Sequence, residues 1–376
     1  MSRDRFLVGL CVIALPLLLY GQSGQIVIPA GTPEDQALQA ISKEQDPQKK
    51  LSMYEDFVQK FASNPAAQAY GNWQIAQYYQ NADRQKSLEY GDKALAASPG
   101  NLDILVMQAN TAQQLNDNAK VVDYAVQGGE AYNALGKNKP AGVSDSDFAA
   151  QTAQAKEAGL NAYQFLEAAA FNAIAGENDA TKRMSYIERF TPAFPNSRFQ
   201  DSIASYAMVA LSQLNDMPRL LAYGEKTLEA NPNSLPTLLL MANAYADDPK
   251  PGSLAKAASY AQKAITVAKA DAPDADASRK LSAGVAHSTL GYVYEKQEKT
   301  AAAIPELKTA CTLLKAQTDQ AAQYAIALYR LGFAYAKLNR VADARQVLIE
   351  AVAIPGPVQQ PARDLLAKVN QARARR

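Results

Sequence analysis

The distribution of apolar and small residues repeats along the chain with the period of paired helices. Leu290, Gly291 and Tyr294 are followed by Ala303, Leu307 and Ala310. Leu331, Gly332 and Tyr335 are followed by Ala344, Leu348 and Ala351 with every spacing preserved. Residues three and four apart share a helix face. Each set therefore predicts a first helix with a small residue on its inner face and a second helix whose Ala-Leu-Ala stripe packs against it.

Weaker copies lie upstream. Ala242-Asn243-Ala244-Tyr245 leads to Ala257, Ala261 and Ala264 across a longer turn, and Ile75-Ala76 with Tyr79 leads to Tyr90, Ala94 and Pro99 across a turn one residue shorter. Phe171, Ile174 and Asp179 lead to Phe190 and Pro195, and Leu105 to Leu115 pairs with Val121 to Ala131. The pattern predicts about eight pairs, at 34–66, 68–100, 102–135, 160–197, 200–233, 235–268, 284–317 and 324–357, and a last helix at 361–373 that covers the open apolar end. Turn residues at 136–147 and 269–278 read as linkers. No run alternates with period two over a useful length, so no strand is predicted.

A larger period overlies the smaller one. Shifted by 133 residues, positions 50–110 align without a gap and share 17 of 61 identities, among them Phe57 with Phe190, Tyr90-Gly91 with Tyr223-Gly224 and Ala109-Asn110 with Ala242-Asn243. A duplicated block of about three pairs, followed by two more, accounts for both periods. The resulting division is a segment at 1–24, a flexible stretch at 25–33, a block at 34–135, a linker and helix at 136–159, a second block at 160–268, a linker at 269–283, a C-terminal pair of repeats at 284–357, and a capping helix with a basic tail at 358–376.

These units resemble the tetratricopeptide repeat, whose Leu-Gly-xx-Tyr and later Ala-xxx-Phe and Pro positions they match. The resemblance implies an all-α, right-handed α-solenoid (superhelix) of antiparallel helix pairs, a non-enzymatic scaffold that binds a protein or peptide in its concave groove. It also marks the position directly after the first helix's packing residue as groove-facing. Here that position holds Asn110, Asn172, Asn243, Tyr292 and Phe333; Tyr329, Lys296 and Lys337 are expected near the same face. The family's peptide-carboxylate clamp is not carried over, because Arg330 is the sole basic candidate and Tyr292 occupies the preceding repeat's asparagine position.

The N-terminus reads as a secretory signal. Arg3 and Arg5 precede an apolar run of 15 residues, Phe6 to Tyr20, and Gly21-Gln22-Ser23 supplies small-x-small residues for cleavage. As a helix the run would rise about 22 Å, short of the roughly 30 Å hydrocarbon core of a bilayer. Export to a periplasm or beyond the cell is the expectation, with tethering by an uncleaved segment as the alternative. Removal of Arg3, Asp4 and Arg5 would leave 36 basic and 36 acidic residues. That balance gives no long-range field towards nucleic acid.

Candidate chemistry is sparse. His287 is the single histidine and lacks a second ligand nearby for a metal. Cys311 would be the only cysteine left after Cys11 and reads as a small packing residue. Asp271, Asp274 and Asp276 lack the glycine and terminal glutamate of a calcium loop. No cofactor, metal or catalytic residue is expected. Two other functions stay open: a self-associating or structural subunit of a larger envelope complex, and an enzyme built on a solenoid shell.

Overall fold

The computed structural model describes residues 26–374. The segment read as a signal, and Arg375 and Arg376 of the basic tail, lie outside them. Among the described residues there are helices and no strands, and no helix is long and apolar enough to cross a membrane. The chain divides between Ser197 and Arg198 into two units.

The first unit contains α1 (Pro33–Lys43), α2 (Pro47–Lys60), α3 (Pro65–Tyr79), α4 (Arg84–Ala97), α5 (Leu102–Gln114), α6 (Asn118–Ala134), α7 (Asp145–Gly176) and α8 (Ala180–Ala193). The starts are set by local chemistry. Pro33, Pro47 and Pro65 stand in the first turns of α1, α2 and α3, where a missing N–H costs nothing. Asp46, Asn64, Asp83, Asn101, Asp117, Ser144 and Asp179 accept hydrogen bonds from the first free amides of α2 to α8.

The second unit contains α9 (Gln200–Gln213), α10 (Met217–Ala230), α11 (Leu235–Asp247), α12 (Ser253–Ala268), α13 (Ala277–Lys296), α14 (Thr300–Lys315), a 3-10 turn at Thr318–Gln320, α15 (Ala321–Lys337), α16 (Val341–Ala353) and α17 (Gln359–Ala374). In both units each odd-numbered helix packs on the even-numbered one after it, and α2 packs on α3, α4 on α5, α12 on α13 and α14 on α15. First helices also touch one another, α5 with α7, α11 with α13 and α13 with α15. Each unit is thus a stack of helical hairpins.

The hairpin turns have a common chemistry. α5–α6, α9–α10, α13–α14 and α15–α16 each turn through one residue of positive φ: Asn116, Asn215, Glu298 and Asn339. The amide that follows each, at Asp117, Asp216, Lys299 and Arg340, donates to a carbonyl five residues back at 2.8–3.0 Å. This satisfies the last carbonyls of the first helix and fixes the reversal. The shorter α3–α4 turn lacks that residue and closes by Asp83 N to Tyr79 O at 2.8 Å.

The repeat register appears as contacts. A Cβ built on Gly291 would stand 2.5 Å from Leu307 Cγ, and one on Gly332 would stand 2.6 Å from Leu348 Cγ. These are the leucines of the two Ala-Leu-Ala stripes. The 133-residue period reappears in the same way: Gly91 faces Gln108 and Gly224 faces Met241. Ala362 and Val369 of α17 join the buried cluster built from α14, α15 and α16.

Three boundaries differ from the sequence reading. α7 is continuous over 32 residues, starting at Asp145 inside the predicted linker at 136–147, because Ser144 caps it and Asp145 and Asp147 sit favourably in its first turn. α13 starts at Ala277, inside the stretch 269–283 read as linker, because Asp276 caps it by accepting from Arg279 N at 2.7 Å. The pair α7–α8 packs on α5 and α6 in the first unit rather than heading a second block. Asn133 Nδ2 donates to Ala193 O at 2.8 Å and Arg189 pairs with Asp123 at 2.5 Å, so α6 and α8 are tied together. In the stretch read as flexible, Ile28 packs beside Ile41 and Phe57, and Thr32 caps α1.

Candidate partner-binding surface

The residues predicted to face a groove lie on first helices, as the pattern requires. They fall into three environments. In the first unit, α3, α5 and α7 enclose an open cleft of about 570 Å³ lined by Trp73, Gln77, Asp103, Val106, Asn110 and Phe165, among others. Asn110 is half-buried there and Phe165 is 37% exposed. Asn172, two turns beyond Phe165 on α7, is exposed and outside the cleft lining.

In the second unit, Asn243 is engaged by the scaffold. Its Nδ2 donates to Leu239 O at 3.0 Å and its Oδ1 accepts from Thr289 Oγ1 at 2.8 Å, which ties α11 to α13. Tyr292 is likewise held from several sides. Its hydroxyl donates to Asp247 Oδ1 at 3.1 Å, the Arg330 guanidinium lies 4.4 Å from its ring centre, and Lys296 Nζ lies 4.9 Å away. Lys296 also donates to Ala246 O at 2.7 Å and Asp247 at 3.1 Å. The chain Asp247–Tyr292–Arg330 therefore stitches α11, α13 and α15 across the first-helix side.

The third environment is the exposed edge beside this stitch. Phe333 is 44% exposed, one turn beyond Arg330 on α15. Tyr329 packs half-buried against the apolar cluster of α14 to α17. Lys337 lies 3.6 Å from the buried Glu295 carboxylate. Arg330 donates to Ser288 Oγ at 3.0 Å and has no carboxylate against it among the described residues. Burial pulls its guanidinium below the ordinary arginine value, opposed by Tyr292 and Asp247. The N–H groups of Arg330 not bonded to Ser288 can donate to an anionic group.

The remaining candidates have scaffold contacts. His287 Nδ1 lies 2.6 Å from Glu306 Oε2, linking α13 to α14. Burial raises the Cys311 thiol to about 12, with Glu350 adding to the shift. Asp276 caps α13, and Asp274 lies 3.4 Å from Arg279. Among the described residues no group of three or more side chains could hold a metal.

Sequence reasoning missed Trp73, Gln77, Phe165 and Asp247. The signal for Gln77 was present: it follows Ala76 as Asn110 follows Ala109, and the two line one cleft. Trp73 stands one turn before it on α3. Phe165 and Asp247 carried no such signal, because their roles depend on contacts between helices.

No family model matches the chain, and no curated protein matches it. Among solved structures it is similar to the crystal structure of the P58(IPK) TPR domain, at 14% identity over 90% of this chain and 98% of that one, with a TM-score of 0.32. An overlap of that size adds nothing to what the chain's own helix pairs show.

Proposed function

We propose that the chain is an exported tetratricopeptide-type scaffold that holds a segment of a partner protein along its first-helix faces. The open cleft across α3, α5 and α7, with Phe165 and Asn110 in its wall, is the observation that carries this reading. An aromatic side chain left exposed beside polar groups in a concave site is the usual anchor point of an interface. The helix-pair register, with Gly291 and Gly332 against their leucines, supports the family assignment. Arg3, Arg5 and the apolar run from Phe6 to Tyr20 support export, and with it a role in envelope assembly.

The second unit supports a finer statement about the partner. Arg330, which has no carboxylate against it among the described residues, and the exposed Phe333 ring stand one turn apart on α15, so an acidic and apolar segment fits there. The test is to truncate Phe165 and Phe333 to alanine and measure both unfolding and affinity for a partner recovered by crosslinking. Buried aromatic anchors commonly contribute about 2 kcal/mol or more, so affinity should fall by more than tenfold. Stability should stay within about 0.5 kcal/mol, as for surface positions. Lost stability with unchanged affinity would place the binding surface elsewhere.

A further inference from the structure

The cleft across α3, α5 and α7 holds a donor that the chain does not use. Trp73 lines it from α3, and its indole Nε1 is closed off from solvent with no hydrogen-bond partner among the described residues. Buried polar groups are nearly always paired, and a lone N–H is costly. An indole nitrogen only donates, so whatever relieves it must be an acceptor. Trp73 itself is only partly buried and borders the opening, so a turn of its ring towards the cleft would present the N–H.

The rest of the lining specifies what carries the acceptor. Gln77 on α3 and Asn110 on α5 make no side-chain hydrogen bond within the chain among the described residues, and they add two amide groups. Asp103 is the one charged side chain in the lining, and it is exposed, so nothing there attracts an acidic segment. Phe165, 37% exposed, and Val106 form apolar wall. These walls are helices, whose backbone groups bond one another. The cleft therefore has no strand edge to meet the N–H groups of a bound backbone, and those lying on Phe165 and Val106 would be stranded. Proline has no N–H to strand. A proline-rich segment in the polyproline II form also leaves its carbonyls bare and is ordered before it binds, which is why such segments dock in aromatic-lined grooves.

We propose that this cleft takes an uncharged, proline-rich segment of the partner in the polyproline II form. One carbonyl accepts from Trp73 Nε1, others accept from Gln77 and Asn110, and prolyl rings lie on Phe165 and Val106. The inference rests on the reading of the first-helix face as the partner-binding surface, and it names the class of segment held at one place along that face.

The experiment titrates the full chain with acetyl-octaproline-amide and, separately, with acetyl-(Ala-Ser)4-amide. Trp73 is the single tryptophan, so one indole N–H resonance and one emission spectrum report on the cleft without ambiguity. Octaproline should bind saturably, move the indole N–H resonance and change the emission. It should bind about tenfold or more tighter than the Ala-Ser peptide, which pays for its ordering and for its buried N–H groups. Trp73→Phe keeps a ring and removes the donor, and by calorimetry should weaken octaproline about threefold to tenfold. Circular dichroism checks that the variant folds, and the indole resonance of the parent chain carries the test if it does not. Absence of saturable octaproline binding, equal affinity for the two peptides, or an indole resonance unmoved at saturation would overturn the proposal. Failure here is separable from failure of the first-helix reading: partner adducts at a photo-crosslinking side chain on Asn110, with no binding of octaproline, would overturn the proline class alone.

Discussion

Replacing Gly332 by leucine tests the packing of the last repeat directly. A Cβ at this position would stand 2.6 Å from both Cγ and Cδ2 of Leu348 and 3.3 Å from Cγ2 of Val347. Carbon atoms in contact prefer about 3.5–4.0 Å, so the first added atom already forces a displacement of close to 1 Å. Leu348 is fully buried, so it has no solvent to move into. Overpacking of this kind costs about 1–3 kcal/mol. Removing a helical glycine returns about 0.8–1 kcal/mol of that, leaving a net loss of about 0–2 kcal/mol. Leu348→Ala alone should cost about 2–5 kcal/mol. Combining the two lets the new leucine occupy the vacated space, so the double variant should be more stable than the sum by about 0.5–3 kcal/mol. Urea unfolding followed by far-UV circular dichroism reads both units. The single tryptophan, Trp73, lies in the first unit, so its fluorescence reports on that unit while circular dichroism reads both. A raised midpoint for Gly332→Leu, or strict additivity in the double variant, would refute the Gly332–Leu348 contact.

Tyr292→Ala should destabilise the chain by about 1–2 kcal/mol because it removes the hydroxyl bond to Asp247 and the ring beneath Arg330, whereas Phe333→Ala should leave unfolding within about 0.5 kcal/mol; equal losses would show that both rings are packing residues. Cys311, its thiol raised to about 12, should resist iodoacetamide at pH 8 in the folded chain and react once urea unfolds it; rapid native labelling would contradict its burial. The Tyr324 hydroxyl at 2.7 Å, and then Lys315 at 3.2 Å, hold the Glu350 carboxyl below 4.5. Stability from this group is therefore present above pH 4.5 and lost as pH falls through its lower folded value. Glu350→Gln should cost less than about 1 kcal/mol at pH 7, and the gap should close at more acid pH; a gap that widens on acidification would reverse the assignment.

The fold was largely legible because each repeat declares itself within about 20 residues. Leu290, Gly291 and Tyr294 define one face by spacing alone, and Leu307 answers it on the next helix. The extent of α7 was not legible. A helix is expected within 136–159, but its first turns, from Asp145 to Lys156, carry no long apolar stripe that would join it to the helix after 160. The candidate surface was legible only as far as one helix. The rule placed Asn243 and Tyr292 on first helices. Their partners, Thr289 and Asp247, lie 46 and 45 residues away and are supplied by the stacking of pairs. For that reason one predicted position (Asn110) lines an open cleft, while another (Asn243) is consumed by the scaffold.

A partner segment is expected to run along the first helices and not the second. A photo-crosslinking side chain placed in turn at Asn110, at Phe333 and at Ile349 tests it most directly. Ile349 is 51% exposed on α16, a second helix, so it is at least as accessible as Phe333. In cells, crosslinked adducts should form at Asn110 and at Phe333 and be absent at Ile349. Adducts at Ile349, with none at the other two, would contradict a binding face on the first helices.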